Sequence, residues 1–146
     1  MTNQPNDTHS KFVGYLVWIF GVFGAHRFYY GKYKTGVLWF FTGGLLLVGW
    51  LVDLFLIPAM DREADQRYMA GPYDYTVTWI LHTFLFAFGA HRFYMGKIGS
   101  GMVYLICTAL IAIGFFPVAI ILAIGWLYDF LTLNSQVDEL NRLASA

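Results

Sequence analysis

The chain has 146 residues, of which 58% are hydrophobic and 12% are charged, and its formal net charge is zero at pH 7. Soluble domains carry about 25% charged residues, so the composition argues against a soluble domain. The balanced charge gives no reason to expect nucleic acid as a partner. A membrane-spanning helix needs roughly 20 mostly apolar residues, and four stretches of the chain meet this requirement. The sequence therefore predicts an all-α integral membrane protein with about four transmembrane helices.

The first apolar stretch is predicted to form one helix from Phe12 to Tyr30. Its aromatic end suits the membrane interface, where amphipathic rings lie at headgroup level. Gly31 is a natural helix stop, because glycine adopts the left-handed C-cap conformation without a Cβ clash. After the short basic turn "GKYKT", a second helix is predicted from Gly36 to about Met60. A connection this short makes the two helices an antiparallel hairpin.

The second half of the chain begins with a third predicted helix, from about Tyr75 to Met95. The fourth apolar region, Gly101 to Leu133, is too long for one upright crossing. Proline removes a backbone donor and kinks a helix. The last helix is therefore predicted to be kinked or broken near Gly114–Pro117.

The chain contains an internal repeat. The stretch "FGAHRFYYGKYKTG", residues 23–36, returns as "FGAHRFYMGKIGSG", residues 88–101, with ten of fourteen positions identical at an offset of 65. "GWLVD" at residues 49–53 matches "GWLYD" at residues 125–129 at an offset of 76, so the second copy is enlarged between its motifs. Two predicted crossings per copy give both copies the same orientation, as parallel repeats related by an axis along the membrane normal.

The repeat divides the chain into two helical hairpins with polar segments around them. We call the hairpins unit one and unit two. The five predicted parts are a polar N-terminal tail (1–11), unit one (12–57), a polar linker (58–76), unit two with its insertion (77–133) and a polar C-terminal tail (134–146).

This order of motifs resembles the TM2 domain family, in which a helix pair carries a GxHRFYxGK-type turn and an aspartate late in the second helix. The likeness covers both units, and the duplication and the enlarged unit two are departures from the single-domain pattern. The resemblance implies a membrane helix hairpin and implies no reaction. Animal members are discussed in connection with signalling and peptide binding, whereas bacterial members are mostly unassigned.

The motif arginines, Arg27 and Arg92, lie near predicted helix ends. There they could snorkel to the interface or donate to the last helix carbonyls. Alternatively, they could bind lipid phosphates together with nearby lysines, since basic residues attract anionic lipids. The candidates for contact with headgroups or a partner are His26, Arg27, Tyr29, Lys32, Lys34, His91, Arg92, Tyr94 and Lys97.

The histidines do not predict a metal site. Neither His26 nor His91 has a second histidine, cysteine or carboxylate at ligand spacing, and one imidazole does not make a zinc site. A site shared between the two units remains an alternative. His82 lies in mid-helix where unit one has Val17, so it is not part of the repeated design. We expect no metal and no cofactor.

Asp53 and Asp129 are the intramembrane carboxylates. A carboxylate exposed to lipid is costly, so each is expected to have a partner or water. An ion pair between Arg27 and Asp53 is attractive, but a straight helix from Gly36 carries Asp53 about 26 Å away. We therefore predict that the two residues lie at opposite faces of the membrane. The pair could form only if Thr42-Gly43-Gly44 breaks the helix and turns the chain back.

Small residues let membrane helices approach closely, and we assign the repeated glycines to helix packing and turns. These are Gly24, Gly31, Gly36, Gly89, Gly96 and Gly101.

The Lys and Arg count sets the predicted orientation. Five bases fall in the two hairpin turns and four in the tails and linker. The positive-inside rule then places the turns in the cytoplasm and both termini outside, and we expect a bacterial inner or plasma membrane.

No catalytic motif such as a nucleotide-binding loop or a nucleophile elbow occurs in the sequence. We therefore expect a non-enzymatic, multi-pass membrane scaffold or interaction module with basic turns facing the headgroups. Its expected partners are membrane lipids and either other membrane proteins or a second copy of itself. The alternative is a small transporter or channel that uses Asp53, Asp129 and His82; a wet cavity reaching them would favour it.

Overall fold

The computed structural model describes residues 7–20 and 24–146, which are helical for most of their length and contain no strand. The all-helical prediction is therefore confirmed for this part of the chain. Eight α-helices follow one another along it. Their bounds are α1 Lys11–Phe20, α2 Ala25–Tyr29, α3 Tyr33–Leu46, α4 Val48–Arg67, α5 Tyr75–Leu85, α6 Ala90–Tyr94, α7 Ile98–Ala112 and α8 Ala119–Ser145.

The predicted single helix over residues 12–30 is wrong, because the chain doubles back within it. Helix α1 ends at Phe20, and α2 begins after Gly24, whose φ of 83° is left-handed. The backbone N–H of Ser10 donates to the Tyr29 hydroxyl at 2.8 Å. A straight helix would separate those two residues by about 28 Å. Glycine permits the reversal, since it has no Cβ to clash at positive φ.

The same reversal occurs in unit two, so the predicted helix over residues 75–95 is also interrupted. Helix α5 is followed by a 3-10 turn, Phe86–Phe88, and by Gly89 at φ 67°. The backbone N–H of Asp74 donates to the Tyr94 hydroxyl at 2.9 Å. Tyr94 is the repeat equivalent of Tyr29, so one tyrosine position closes the fold in both units.

The second apolar segment of unit one is likewise two helices. Gly43 and Gly44 have φ of 58° and 67°, and Leu45–Leu47 continue at positive φ before α4 begins. Left-handed backbone costs a non-glycine residue roughly 1–2 kcal/mol, so this turn is held by the packing on either side of it. There, a Cβ on Gly49 would lie 2.7 Å from the Trp39 ring.

The predicted break near Gly114–Pro117 is confirmed. Helix α7 ends at Ala112, Gly114 has φ 94°, and a 3-10 turn, Phe116–Val118, leads into α8. Each unit therefore contains four helices, α1–α4 in unit one and α5–α8 in unit two. The described loops alternate between a polar end and an apolar end.

The polar end gathers segments that the sequence placed on opposite faces. Lys32, in the first motif turn, pairs with Glu63 at 2.6 Å, and Arg67 donates to the Gly31 carbonyl at 2.8 Å. The C-terminal part of α8 joins the same end, where Asp138 accepts from the backbone N–H of Met69 at 3.0 Å. The prediction that the turns and the termini lie on opposite sides is therefore wrong, because each pair of helices turns back on itself.

The outside of the molecule is strongly apolar. Leu46, Phe41 and Phe55 are each at least 80% exposed, a surface suited to hydrocarbon. Among the described residues, one helix, Phe116–Ser145, is long and apolar enough to cross a membrane. Three shorter apolar helices accompany it, Lys11–Phe20, Tyr75–Phe88 and Ile98–Ala112. Four separate crossings are not confirmed.

Candidate functional site: two buried His–Arg–Asp clusters

In unit one, His26 and Arg27 on α2 meet Asp53 on α4. The His26 Nε2 lies 2.6 Å from Asp53 Oδ2, and the Arg27 Nε donates to the same oxygen at 2.8 Å. A second guanidinium nitrogen, Nη2, donates to Asp53 Oδ1. His26 and Asp53 are completely buried and Arg27 is 7% exposed. Since an ionised carboxylate only accepts hydrogen bonds, His26 carries its proton on Nε2.

Unit two repeats the cluster with His91, Arg92 and Asp129. The His91 Nε2 lies 2.7 Å from Asp129 Oδ2, and Arg92 donates to both carboxylate oxygens. Two further donors reach Asp129, the Tyr104 hydroxyl at 2.8 Å and the Gln136 amide at 3.1 Å.

An aromatic ring completes each cluster. The Arg27 guanidinium lies 3.7 Å from the centre of the Trp39 ring, and that of Arg92 lies 5.2 Å from the Tyr104 ring. Trp39 and Tyr104 are equivalent in the repeat. A desolvated cation over an aromatic face is stabilised by the ring quadrupole. The shared offset of 65 could have identified this aromatic position from the sequence.

The predicted placement of Arg27 and Asp53 on opposite faces is wrong. The straight-helix distance does not apply, because the left-handed turn at Gly43 and Gly44 reverses the chain and α4 returns beside α2. Such a break at Thr42-Gly43-Gly44 is the one condition under which the sequence allowed Arg27 and Asp53 to pair. The turn at Gly43 and Gly44 and the Arg27–Asp53 ion pair depend on each other. Without the turn the two side chains could not meet, and each would be left as a costly unpaired charge.

The repeated glycines lie at close helix contacts and at turns. A Cβ on Gly36 would lie 2.8 Å from the Phe28 ring, and one on Gly101 would lie 2.9 Å from the Phe93 ring. Gly31 and Gly96 lie in the motif turns. The remaining pair, Gly24 and Gly89, forms the reversals described above. Glycine at these positions lets the motif helix lie directly against the helix that follows it.

The nine residues predicted to contact headgroups or a partner differ in exposure, and four of them are buried. His26, Tyr29 and His91 are fully buried. Arg27 and Arg92 are held by carboxylates. Lys32 pairs with Glu63 and Lys97 donates to Gln136. The Tyr94 hydroxyl accepts from Asp74. Lys34 is exposed, and its contact with headgroups or a partner stays a prediction.

Comparison with known families agrees with the geometry of these hairpins. The TM2 domain profile matches residues 7–55 and 71–131, most of the chain in two segments. The chain belongs to the TM2 domain family. Membership and the helix of spanning length together support its nature as a membrane protein.

Curated TM2 relatives match one unit's length of this chain. Two TM2 domain-containing proteins of Dictyostelium discoideum are 46% identical over 57 residues and 48% identical over 55 residues. One from Caenorhabditis elegans is 33% identical over 66 residues. These alignments cover 38%, 37% and 45% of this chain and 37%, 40% and 16% of the relatives, so the chain matches well under half of each. No solved structure matches. These organisms are eukaryotes, and the predicted bacterial membrane finds no support in them.

The two TM2 units meet at a residue that sequence reasoning missed. Asn134 on α8 is fully buried, and its amide donates to the backbone carbonyl of Tyr29 at 2.7 Å and to that of Phe28 at 3.3 Å. Its side-chain oxygen accepts from the Trp79 indole at 2.6 Å. No repeat or periodicity marks Asn134, because the contact belongs to unit packing and not to either TM2 motif.

Metal-ligand atoms come together in one place within the described residues. His82, His91 and Asp129 offer ligand atoms within 4.8 Å of one another. Both Asp129 oxygens already accept from the donors described above, and the Arg92 cation lies against the same carboxylate. A second cation there would meet repulsion in a region of low dielectric. The cluster is therefore better suited to holding TM2 unit two together than to holding a metal.

Proposed function

We propose that this protein is a non-enzymatic membrane scaffold built of two tandem TM2 hairpins, which presents apolar sides to lipid and to neighbouring membrane proteins or copies of itself. One observation carries the proposal. In both units, the motif arginine and the buried carboxylate are bound to each other within the same unit. The motif is thus used to hold a hairpin corner, and its charges are not available for a reaction.

The contacts of the carboxylates support a scaffold over a transporter. A transport path needs ionisable groups that meet water or one another along a route. Asp53 and Asp129 are completely buried and saturated by donors of their own unit. A cavity of about 590 Å³ beside His82 has an apolar lining that includes neither carboxylate. The wet path that would favour transport therefore has no support in the described residues.

The polar end supports a particular way of lying in the membrane. It carries residues 7–10, the linker and the C-terminal part of α8. The other end carries Leu45–Leu47 and Phe115–Phe116, which are all exposed. We place the polar end at the cytoplasmic interface, because basic residues near the membrane favour that side. The apolar end then lies in hydrocarbon.

Photo-crosslinking in the native membrane tests the scaffold. Two variants are made in a Cys107→Ala background, one with Lys34→Cys and one with Gly99→Cys. A photoactivatable probe then attaches only to the introduced cysteine. Gly99 is the exposed repeat equivalent of Lys34. We expect discrete protein or lipid adducts from each turn, which Asp53→Asn weakens at position 34 and leaves unchanged at position 99. Diffuse adducts unaffected by Asp53→Asn would overturn the proposal.

A further inference from the structure

A cavity of about 590 Å³ lies between the two units. Its volume falls in the range of about 300–1,000 Å³ typical of small-molecule sites. Helices of both units form its wall, which is almost entirely apolar. The lining residues on the side of unit two include Trp79, His82, Thr83, Trp126, Phe130 and Leu131.

His82 is the unexplained group in this wall. It is 1% exposed, and neither ring nitrogen has a hydrogen-bond partner among the described residues. The His91 ring lies edge-on to it at 4.8 Å and the Trp126 ring is stacked on it at 6.1 Å, both between centroids. An oxygen of Asp129 lies within 4.8 Å of one of its ring nitrogens, beyond hydrogen-bond distance. An unsatisfied buried polar group costs about 1–3 kcal/mol. A residue of this kind in a cavity wall is explained by a ligand that supplies the missing partner.

The two copies of the repeat differ at this place. Unit one has Val17 and Trp18 where unit two has His82 and Thr83. In unit one, Trp18 stacks on Trp50 at 4.2 Å, and each indole donates to the other residue's carbonyl. In unit two, Thr83 and the equivalent tryptophan, Trp126, both line the cavity. The threonine side chain is smaller than that of Trp18 and borders open space, and His82 adds a polar group to the same wall.

We propose that this cavity binds one uncharged long-chain alcohol, with its hydroxyl hydrogen-bonded to His82 and its chain along the aromatic wall. A neutral imidazole offers one donor and one acceptor nitrogen, and a hydroxyl can both donate and accept. The ligand is uncharged because the nearby charges, Arg92 and Asp129, already neutralise each other. A carboxylate or phosphate would meet no free cation in the described wall. Such alcohols partition into the bilayer that surrounds the apolar exterior.

The test uses the full-length protein in phosphatidylcholine vesicles and a long-chain alcohol with a photoactivatable group in mid-chain. A probe of the same length without the hydroxyl is the matched control. We expect saturable labelling of α3 and α8 by the alcohol, competed by the unlabelled alcohol. His82→Val, which copies Val17, should weaken the competition about three- to tenfold, the loss expected for one hydrogen bond, and leave the control probe unchanged. Thr83→Trp, which copies Trp18, should remove labelling by both probes.

Thr83→Val removes the threonine hydroxyl but keeps the size of the side chain, so it controls for the loss of that hydroxyl in Thr83→Trp. Circular dichroism verifies the helix content of each variant. If Thr83→Trp fails to fold, the difference in alcohol competition between the wild type and His82→Val still tests whether the alcohol binds through His82. Labelling that does not saturate, or that is equally strong for both probes in the wild type, would overturn the proposal. A scaffold that binds no alcohol would fail this test and still pass the crosslinking test of the turns.

Discussion

The side-chain amide of Asn134 donates to the backbone carbonyl of Tyr29 at 2.7 Å, joining the last helix of the chain to the motif helix of unit one. The two residues are 105 positions apart in sequence. Through its oxygen, Asn134 also accepts from Trp79, so one side chain holds three elements. The relative placement of the two units therefore depends on a polar contact inside an apolar core.

Replacing this residue should loosen the joint without unfolding either unit. Asn134→Leu leaves the Trp79 indole and the Tyr29 carbonyl buried without partners, each costing about 1–3 kcal/mol. We expect a lower melting temperature in detergent and faster proteolysis of the linker between α4 and α5. Ser145→Ala, at an exposed position of the same helix, serves as control. An unchanged melting temperature in Asn134→Leu would show that apolar packing alone sets the joint.

The two arginine corners should differ in their tolerance of lysine. Lysine has one nitrogen and cannot bridge both carboxylate oxygens as the guanidinium fork does. We expect Arg27→Lys to lower the free energy of unfolding by about 1–3 kcal/mol. Arg92→Lys should cost less, because Tyr104 and Gln136 still hold Asp129. Thermal unfolding followed by circular dichroism measures both, with Lys34→Arg as the exposed control. Equal losses would contradict the role given to the extra donors.

Glycine packing gives a comparison within one helix. In α7, a Cβ on Gly101 meets the Phe93 ring at 2.9 Å, whereas a Cβ on Gly99 meets nothing within 4 Å. Gly101→Ala is expected to destabilise the protein by about 1–3 kcal/mol through overpacking. Gly99→Ala should be neutral or stabilise by up to about 1 kcal/mol, since alanine is the better helix former. The melting temperature of Gly101→Ala should therefore fall, whereas that of Gly99→Ala should stay unchanged or rise. An equal fall in both variants, or none in Gly101→Ala, would argue against the tight α6–α7 contact.

The polar end should respond to acid through His9. Burial lowers the pKa of His9 to about 4, whereas an unfolded histidine titrates near 6.5. Between about pH 4 and about pH 6.5, His9 therefore takes up a proton when the protein unfolds. The free energy of unfolding falls as the pH drops from about 6.5 to about 4. Asp61 acts in the opposite sense, because burial raises its pKa to about 6.

Comparison with His9→Phe isolates the histidine, since both chains keep Asp61. The phenyl ring preserves the packing against Tyr29 and Tyr75. We expect the wild type to lose on the order of 2–3 kcal/mol more than the variant across this window. Parallel pH profiles of the two melting temperatures would mean that His9 does not control the acid response.

The sequence predicted helices and their motif residues better than it predicted their directions. The repeat identified His26, Arg27 and Asp53 and their counterparts, and it marked Gly114 as a break. It did not predict that Gly24 and Gly89 reverse the chain, because an apolar run has the same pattern whether it is straight or folded back. The distance from Arg27 to Asp53 was wrong for a similar reason, because the turn at Gly43 and Gly44 that shortens it was considered only as an alternative to a straight helix.

Contacts between the units were beyond any pattern in the sequence. Asn134 follows no periodicity, and His82 differs from Val17 without showing what the difference opens. Such features depend on how two bundles pack, which is set by shape in three dimensions. By contrast, Trp39 and Tyr104 lie at the repeat offset beside the arginines, so a search of the repeat for aromatic positions would have found them.

The pairing of Arg27 with Asp53 and of Arg92 with Asp129 makes each unit electrically complete. Neither copy relies on its neighbour to neutralise a buried charge. A gene encoding one such hairpin can therefore be doubled, fused to another domain or moved to a new chain without leaving a bare ion in the lipid. The second copy is then free to change at positions such as 82 and 83, where the first copy keeps a closed aromatic pair.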